Sequence, residues 1–91
     1  MKTHTFNGKR FRIDIAGPID GICISGEQLP PQDREVILCR NLNTQGGLIT
    51  VIHESLHACE WHIGEQRIDQ ISRDVGRFLW RLGYRIKKDT T

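Results

Sequence analysis

Two histidines four residues apart, with a glutamate directly after the first, form the pattern in this chain best suited to chemistry. His53, Glu54 and His57 spell H-E-x-x-H within the segment LITVIHESLHA. On a helix, residues four apart share one face, so both imidazoles can reach one ion at about 2.0 to 2.1 Å, the usual zinc–nitrogen distance. Glu54 lies one step round the helix, where its carboxylate can take a proton from a water on that ion as the water attacks a carbonyl. The pattern predicts a hydrolytic zinc site.

A third ligand has to come from outside the motif, and three residues that follow it are candidates. Glu65 stands at the start of the next predicted helix, from which its carboxylate can fold back over the first. His62 and Asp69 are the alternatives. If His62 is not a ligand, its imidazole can donate a hydrogen bond to the oxyanion that develops on a substrate. Asp69 can instead accept the second N–H of a metal-bound histidine.

An interpretation without metal is also open. Two histidines and a glutamate are poor choices for a strongly apolar helix unless an ion or hydrogen bonds satisfy them. The bonds could come from the backbone or from the carboxylates of Glu60 and Glu65. The chain would then be a small interaction domain.

The first 45 residues, which precede these candidates, show the pattern of short strands. Apolar and polar residues alternate over 11–15, as in a half-buried strand, and Asn7-Gly8 before them is a turn signal. A second strand is predicted at 35–40 and a short one at 21–25. Together they predict a small antiparallel sheet. If the strand at 35–40 is an edge, it can hold an extended peptide.

The second half is predicted to be helical. Apolar residues spread round several faces of 48–58, which predicts a helix buried on more than one side. A longer helix is predicted over 65–82. One apolar stripe, about 100° wide, is expected to pack against the rest of the domain, and the opposite face is expected to be exposed to solvent. The stripe consists of Ile68, Ile71, Val75, Phe78, Leu79 and Leu82. Gly83 stops this helix, and 87–91 is a polar tail expected to fray.

The composition fits one small folded domain over residues 1–91. Hydrophobic residues make up 37%, charged residues 26%, and the net charge is +2. These values exclude a disordered chain. A chain this short buries only about 60 to 65% of its unfolded surface, so a bound metal would add useful stability.

Compartment and partners follow from what the chain lacks. It has no apolar segment long enough for a secretory signal or a membrane span, and its three cysteines show no CxxC spacing. We therefore expect a cytoplasmic protein with reduced thiols and no membrane partner. Arg73, Arg77 and Arg81 form a basic stripe on the second helix, which is either a solvated face or a surface for nucleic acid or an acidic partner.

With these residues in place, the chain resembles the zincin metallopeptidases, whose shared feature is H-E-x-x-H on an active-site helix against a small sheet. Glu65-Gln66-Arg67-Ile68-Asp69 has the E-x-x-x-D spacing of gluzincins. In these enzymes a Glu of the following helix is the third zinc ligand and the Asp supports a ligand histidine. The strand, loop and apolar helix around the motif are also similar to compact phage and bacterial domains of the ImmA/IrrE and SprT-like kinds.

The resemblance covers residues 34–82 at most and implies zinc, a water nucleophile, a protein or peptide substrate and peptide-bond hydrolysis. Glu65 lies eight positions after His57, a shorter interval than in large gluzincins, and the metzincin ligand position holds Ile63 rather than histidine. The expected architecture is an α+β minimal zincin: a small antiparallel sheet, the H-E-x-x-H helix and a long C-terminal helix. A zinc-stabilised module that binds a protein or nucleic acid without turnover is the alternative.

Overall fold

A computed structural model of the chain describes residues 2–17, 22–24, 33–39, 42–60 and 62–86. Within these ranges, strands form one four-stranded sheet and two helices follow it. The α+β class expected from the sequence is confirmed. The tail at 87–91, expected to fray, lies outside the described residues.

A tight hairpin opens the fold. Strands β1 (Lys2–Phe6) and β2 (Lys9–Gly17) pair antiparallel. Asn7 and Gly8 join them with φ values of 49° and 79°. Two-residue hairpin turns need such positive φ values, which asparagine and glycine adopt at the lowest cost. The turn signal in the sequence therefore marks a hairpin.

The sheet order is β1-β2-β4-β3, where β3 is Ile22–Ile24 and β4 is Glu35–Cys39. Strand β4 pairs parallel with β2 and antiparallel with β3. The sheet is thus mixed, and the prediction of a wholly antiparallel sheet is wrong for one pair of strands. Strand β3 is not the neighbour of β2 in the sheet, because β4 lies between them. Strands β2 and β4 are therefore adjacent, and they run parallel.

This order also corrects the predicted substrate strand. Strand β4 lies between β2 and β3, so both of its sides are already hydrogen-bonded and it cannot pair with a further chain. The edges of the described sheet are β1 and β3. Both edge strands contact the first helix, β3 more extensively than β1.

Helix α1 (Gln45–Cys59) carries the H-E-x-x-H motif and begins three residues before the predicted start at 48. The Thr44 side chain accepts a hydrogen bond from the Gly47 backbone N–H at 2.9 Å. This N-cap satisfies a donor that would otherwise lack a helical partner, and it draws two glycines into the first turn. Phe11, Val36, Leu38, Leu42 and Ala58 form the core between the sheet and α1.

Helix α2 (Glu65–Leu82) has the predicted bounds. It ends because Gly83 adopts a φ of 98° and its N–H turns back to the carbonyls of Leu79 and Trp80, as at many helix C-termini. In the part of the chain that the structure describes, no helix combines the length and apolarity needed to cross a membrane.

Helix α2 packs on α1 through small side chains. Ser72 is fully buried, and a Cβ added at Gly76 would lie 2.5 Å from Cγ1 of Ile49. The two helices therefore approach too closely for any larger residue at position 76.

This contact corrects the expectation that the whole apolar stripe of α2 packs. Ile68 is buried, but Val75, Phe78 and Leu82 are 39, 61 and 60% exposed. The helix turns its small residues toward α1, and this face is centred about 90° from the exposed part of the stripe.

Candidate metal centre

The motif and the third candidate ligand meet where the chain reverses between the two helices. His53 and His57 lie one turn apart on α1, with ring centroids 5.0 Å from each other. The turn after α1 is short, and the Ile63 N–H donates to the Glu60 carbonyl at 3.2 Å within it. Glu65, the first residue of α2, is thereby brought back over both imidazoles.

The Glu65 carboxylate bridges the two histidine rings. Its Oε2 lies 2.9 Å from His53 Nε2, and its Oε1 lies 2.7 Å from His57 Nε2. One ligand atom from each of the three residues falls within 4.8 Å of the others. Two imidazole nitrogens and a carboxylate oxygen form a donor set that zinc accepts in hydrolytic enzymes, with a fourth position left for water. The residues present therefore fit the ion that the sequence predicts.

The second nitrogen of His53 is supported from α2. His53 Nδ1 lies 3.9 Å from Asp69 Oδ1 and 3.5 Å from Ser72 Oγ. The Ser72 hydroxyl donates to the Asp69 backbone carbonyl at 3.0 Å, which leaves its oxygen lone pairs to accept from the ring. An N–H held at Nδ1 leaves the lone pair on Nε2, on the side of Glu65. Asp69 therefore lies where the sequence predicts a supporting residue.

Ser72 is a further residue of the candidate site, and no motif in the sequence marks it. It follows Glu65 by seven residues, or about two turns, and so shares its helix face. The sequence signal is a small polar residue on the same predicted helix face as Glu65; its full burial is seen only in the structure.

Glu54 borders the same cavity as the candidate ligands. Glu54 is buried, with 7% of its surface exposed. The cavity, about 340 Å³, is lined by Ile49, Thr50, His53, Glu54, Glu65, Asp69 and Arg73. The predicted base therefore borders the same cavity as His53 and Glu65, two of the three candidate ligands.

His62 lies apart from the converging atoms. It is an exposed residue of the turn, and its backbone N–H donates to Glu60 Oε1 at 3.4 Å. Among the described residues, the group able to hold an ion takes its third ligand from Glu65 and not from His62 or Asp69. The role of His62 as an oxyanion donor stays a prediction.

The basic stripe is divided in the structure. Arg73 Nε donates to Asp69 Oδ2 at 3.0 Å, which holds that carboxylate beside His53. Arg77 and Arg81 are exposed, as the second face of an amphipathic helix should be. The stripe thus contributes one residue to the surroundings of the candidate site.

Comparison of the chain with protein-family models, with curated proteins and with solved structures yields no match. The function is therefore inferred from the geometry of the site alone.

Asp69 offers a direct test of the support for His53. We expect Asp69→Ala to weaken zinc binding by about 10-fold to 100-fold, because the imidazole loses the negative charge that lies 3.9 Å from its Nδ1. Titration against a chromophoric chelator measures the change. Asp74→Ala, an exposed position on the same helix, is the matched control and should leave the affinity unchanged. Equal zinc affinity in both variants would contradict the role assigned to Asp69.

Proposed function

We propose that this chain is a zinc-dependent peptidase in which His53, His57 and Glu65 hold the ion and Glu54 is the general base. The observation that carries the proposal is the meeting of two Nε2 atoms from α1 with a carboxylate from α2. A buried glutamate borders the same cavity.

Zinc, when bound, supplies a Lewis acid that polarises the peptide carbonyl and makes water acidic enough to react near neutral pH. Glu54 takes a proton from the attacking water and delivers it to the nitrogen of the leaving amine as the C–N bond breaks. Ser72 Oγ accepts from the Nδ1–H of His53, and the Asp69 carboxylate lies 3.9 Å from the same nitrogen, so that the ring keeps its orientation. His62 is the candidate donor to the carbonyl oxygen as it gains negative charge.

An extended peptide is the substrate that best fits the fold. Strand β3 is an edge of the described sheet and lies against α1. A peptide added to this edge would make main-chain hydrogen bonds and run alongside the motif helix. Strand β4, the peptide-binding strand predicted from the sequence if it were an edge, is excluded from this role by its central position. We also propose a cytoplasmic location, because a reducing compartment keeps Cys59 as the free thiol that it is in this structure.

Hydrolysis itself is the test. Zinc-loaded protein is incubated with a mixture of unstructured peptides, and new termini are identified by mass spectrometry. We expect cleavage products that are absent when a chelator is included. A protein that binds zinc stoichiometrically but yields no product would instead favour the alternative, a zinc-stabilised module that binds a protein or nucleic acid.

A further inference from the structure

Helix α2 has an apolar stripe that the other described residues leave largely exposed. Ile71, Val75, Phe78 and Leu82 fall within an arc of about 60° on the helix. Val75, Phe78 and Leu82 are 39, 61 and 60% exposed, and Ile71 is half-buried. Contiguous apolar surface of this kind on a small domain marks an interaction site. We refer to these four residues as the α2 stripe.

The α2 stripe has the spacing of a helix-pairing seam. Its members are separated by four, three and four residues, which is the a/d alternation of a heptad repeat. The contact with α1 does not use this seam, since it runs through Ser72 and Gly76. The α2 stripe therefore remains accessible on the surface that the described residues form.

Two charged residues beside the seam, Asp74 and Arg81, indicate which kind of helix binds there. Asp74 and Arg81 are seven residues apart, so they flank the α2 stripe on the same side with opposite charges. Both are exposed, and neither forms an ion pair with another of the described residues. A partner helix that matches this surface carries the same two charges in the reverse order.

A second copy of α2, running antiparallel, satisfies that requirement. When Val75 lies opposite the partner's Phe78, Ile71 lies opposite the partner's Leu82. Asp74 then flanks the partner's Arg81, and the two-fold axis repeats the pair. A parallel arrangement would set Asp74 against the partner's Leu79, with no opposite charge to meet. The charge order therefore favours the antiparallel arrangement.

We propose that the α2 stripe is the interface of an antiparallel homodimer. Glu65 and Asp69 lie more than about 100° round the helix from the centre of the stripe, so dimerisation leaves both candidate metal centres open. The proposal does not depend on the peptidase assignment.

Sedimentation equilibrium over a wide range of protein concentration tests the interface. The wild-type chain is expected to dimerise, and Phe78→Glu to raise the dimer Kd by at least about 30-fold, because it places a charge at the centre of the seam. Circular dichroism checks that the variant is folded. Arg77→Glu, exposed and outside the seam, is the matched control and should dimerise as wild type. A wild-type chain that stays monomeric, or dimers unaffected by Phe78→Glu, would overturn the proposal.

A charge exchange tests the antiparallel register separately. Asp74→Arg and Arg81→Asp should each weaken the dimer, because each sets like charges against one another at both ends of the seam. The double variant Asp74→Arg/Arg81→Asp restores the complementary pairs and should recover dimerisation. Failure of the double variant to recover, while both single variants weaken, would overturn the antiparallel arrangement.

Discussion

Glu54→Gln is expected to lower kcat for peptide hydrolysis by about 10²-fold to 10⁴-fold, the usual contribution of a positioned general base. Glutamine keeps the shape of the side chain but cannot take the proton from the attacking water. Since Glu54 is not among the converging ligand atoms, the variant should bind zinc as the wild type does. The measurements are initial rates on a peptide identified as a substrate and zinc content by elemental analysis.

Glu60→Gln is the matched control for that experiment. Glu60 is an exposed glutamate at the C-cap of the same helix, so its replacement should leave the rate close to that of the wild type. Because Glu54 is buried, circular dichroism and the melting temperature of its variant must also be compared with wild type. Unchanged hydrolysis by folded, zinc-loaded Glu54→Gln would contradict the assignment of Glu54 as the base.

Removal of zinc is expected to lower the melting temperature by roughly 10 to 20 °C. An ion held by His53 and His57 from α1 and by Glu65 from α2 joins the two helices and binds the folded state alone. Ligand at 100 times its Kd adds about 2.7 kcal/mol to the free energy of unfolding. For a domain of this size, each kcal/mol shifts the midpoint by about 4 to 8 °C. Calorimetry with and without EDTA measures the difference.

The metal-free protein should nevertheless remain folded. The Glu65 carboxylate lies 2.9 and 2.7 Å from the two Nε2 atoms in this structure, but its side chain is 69% exposed, so these contacts add little stability in water. The core between the sheet and α1 has no part in the site. His57→Ala should melt near the temperature of the chelated wild type and be insensitive to EDTA. An identical melting temperature for zinc-loaded and chelated wild type would contradict the structural role of the ion.

The helices follow closely from the sequence, because their signals are local. The bounds of α2 are those predicted, from its apolar period and from Gly83, whose positive φ ends the helix. The start of α1 was predicted three residues late, since the hydrogen bond from Gly47 to Thr44 outweighs the weak helix propensity of two glycines.

The sheet order and the packing of α2 could not be predicted in the same way. Parallel pairing of β2 with β4 depends on where the chain places β3, which no local pattern encodes. The sequence predicts that the whole apolar stripe of α2 packs, because buried and exposed apolar residues look alike in a sequence. Only the close contact at Gly76 reveals which face of the helix packs.

The candidate site could be predicted in part from the sequence. The four-residue spacing places His53 and His57 together on any helix, so the sequence alone predicts them. The choice among Glu65, His62 and Asp69 depends on how sharply the chain turns after α1. In the structure that turn brings Glu65 within 2.9 Å of both rings.

The zinc content of the purified, untagged protein, prepared without chelator and measured by elemental analysis beside His57→Ala, tests the metal centre most directly. We expect about one zinc per wild-type chain and loss of that zinc in the variant, which lacks one of three protein ligands. No bound zinc in the wild-type protein, even after zinc is supplied, would contradict the site and the function proposed from it.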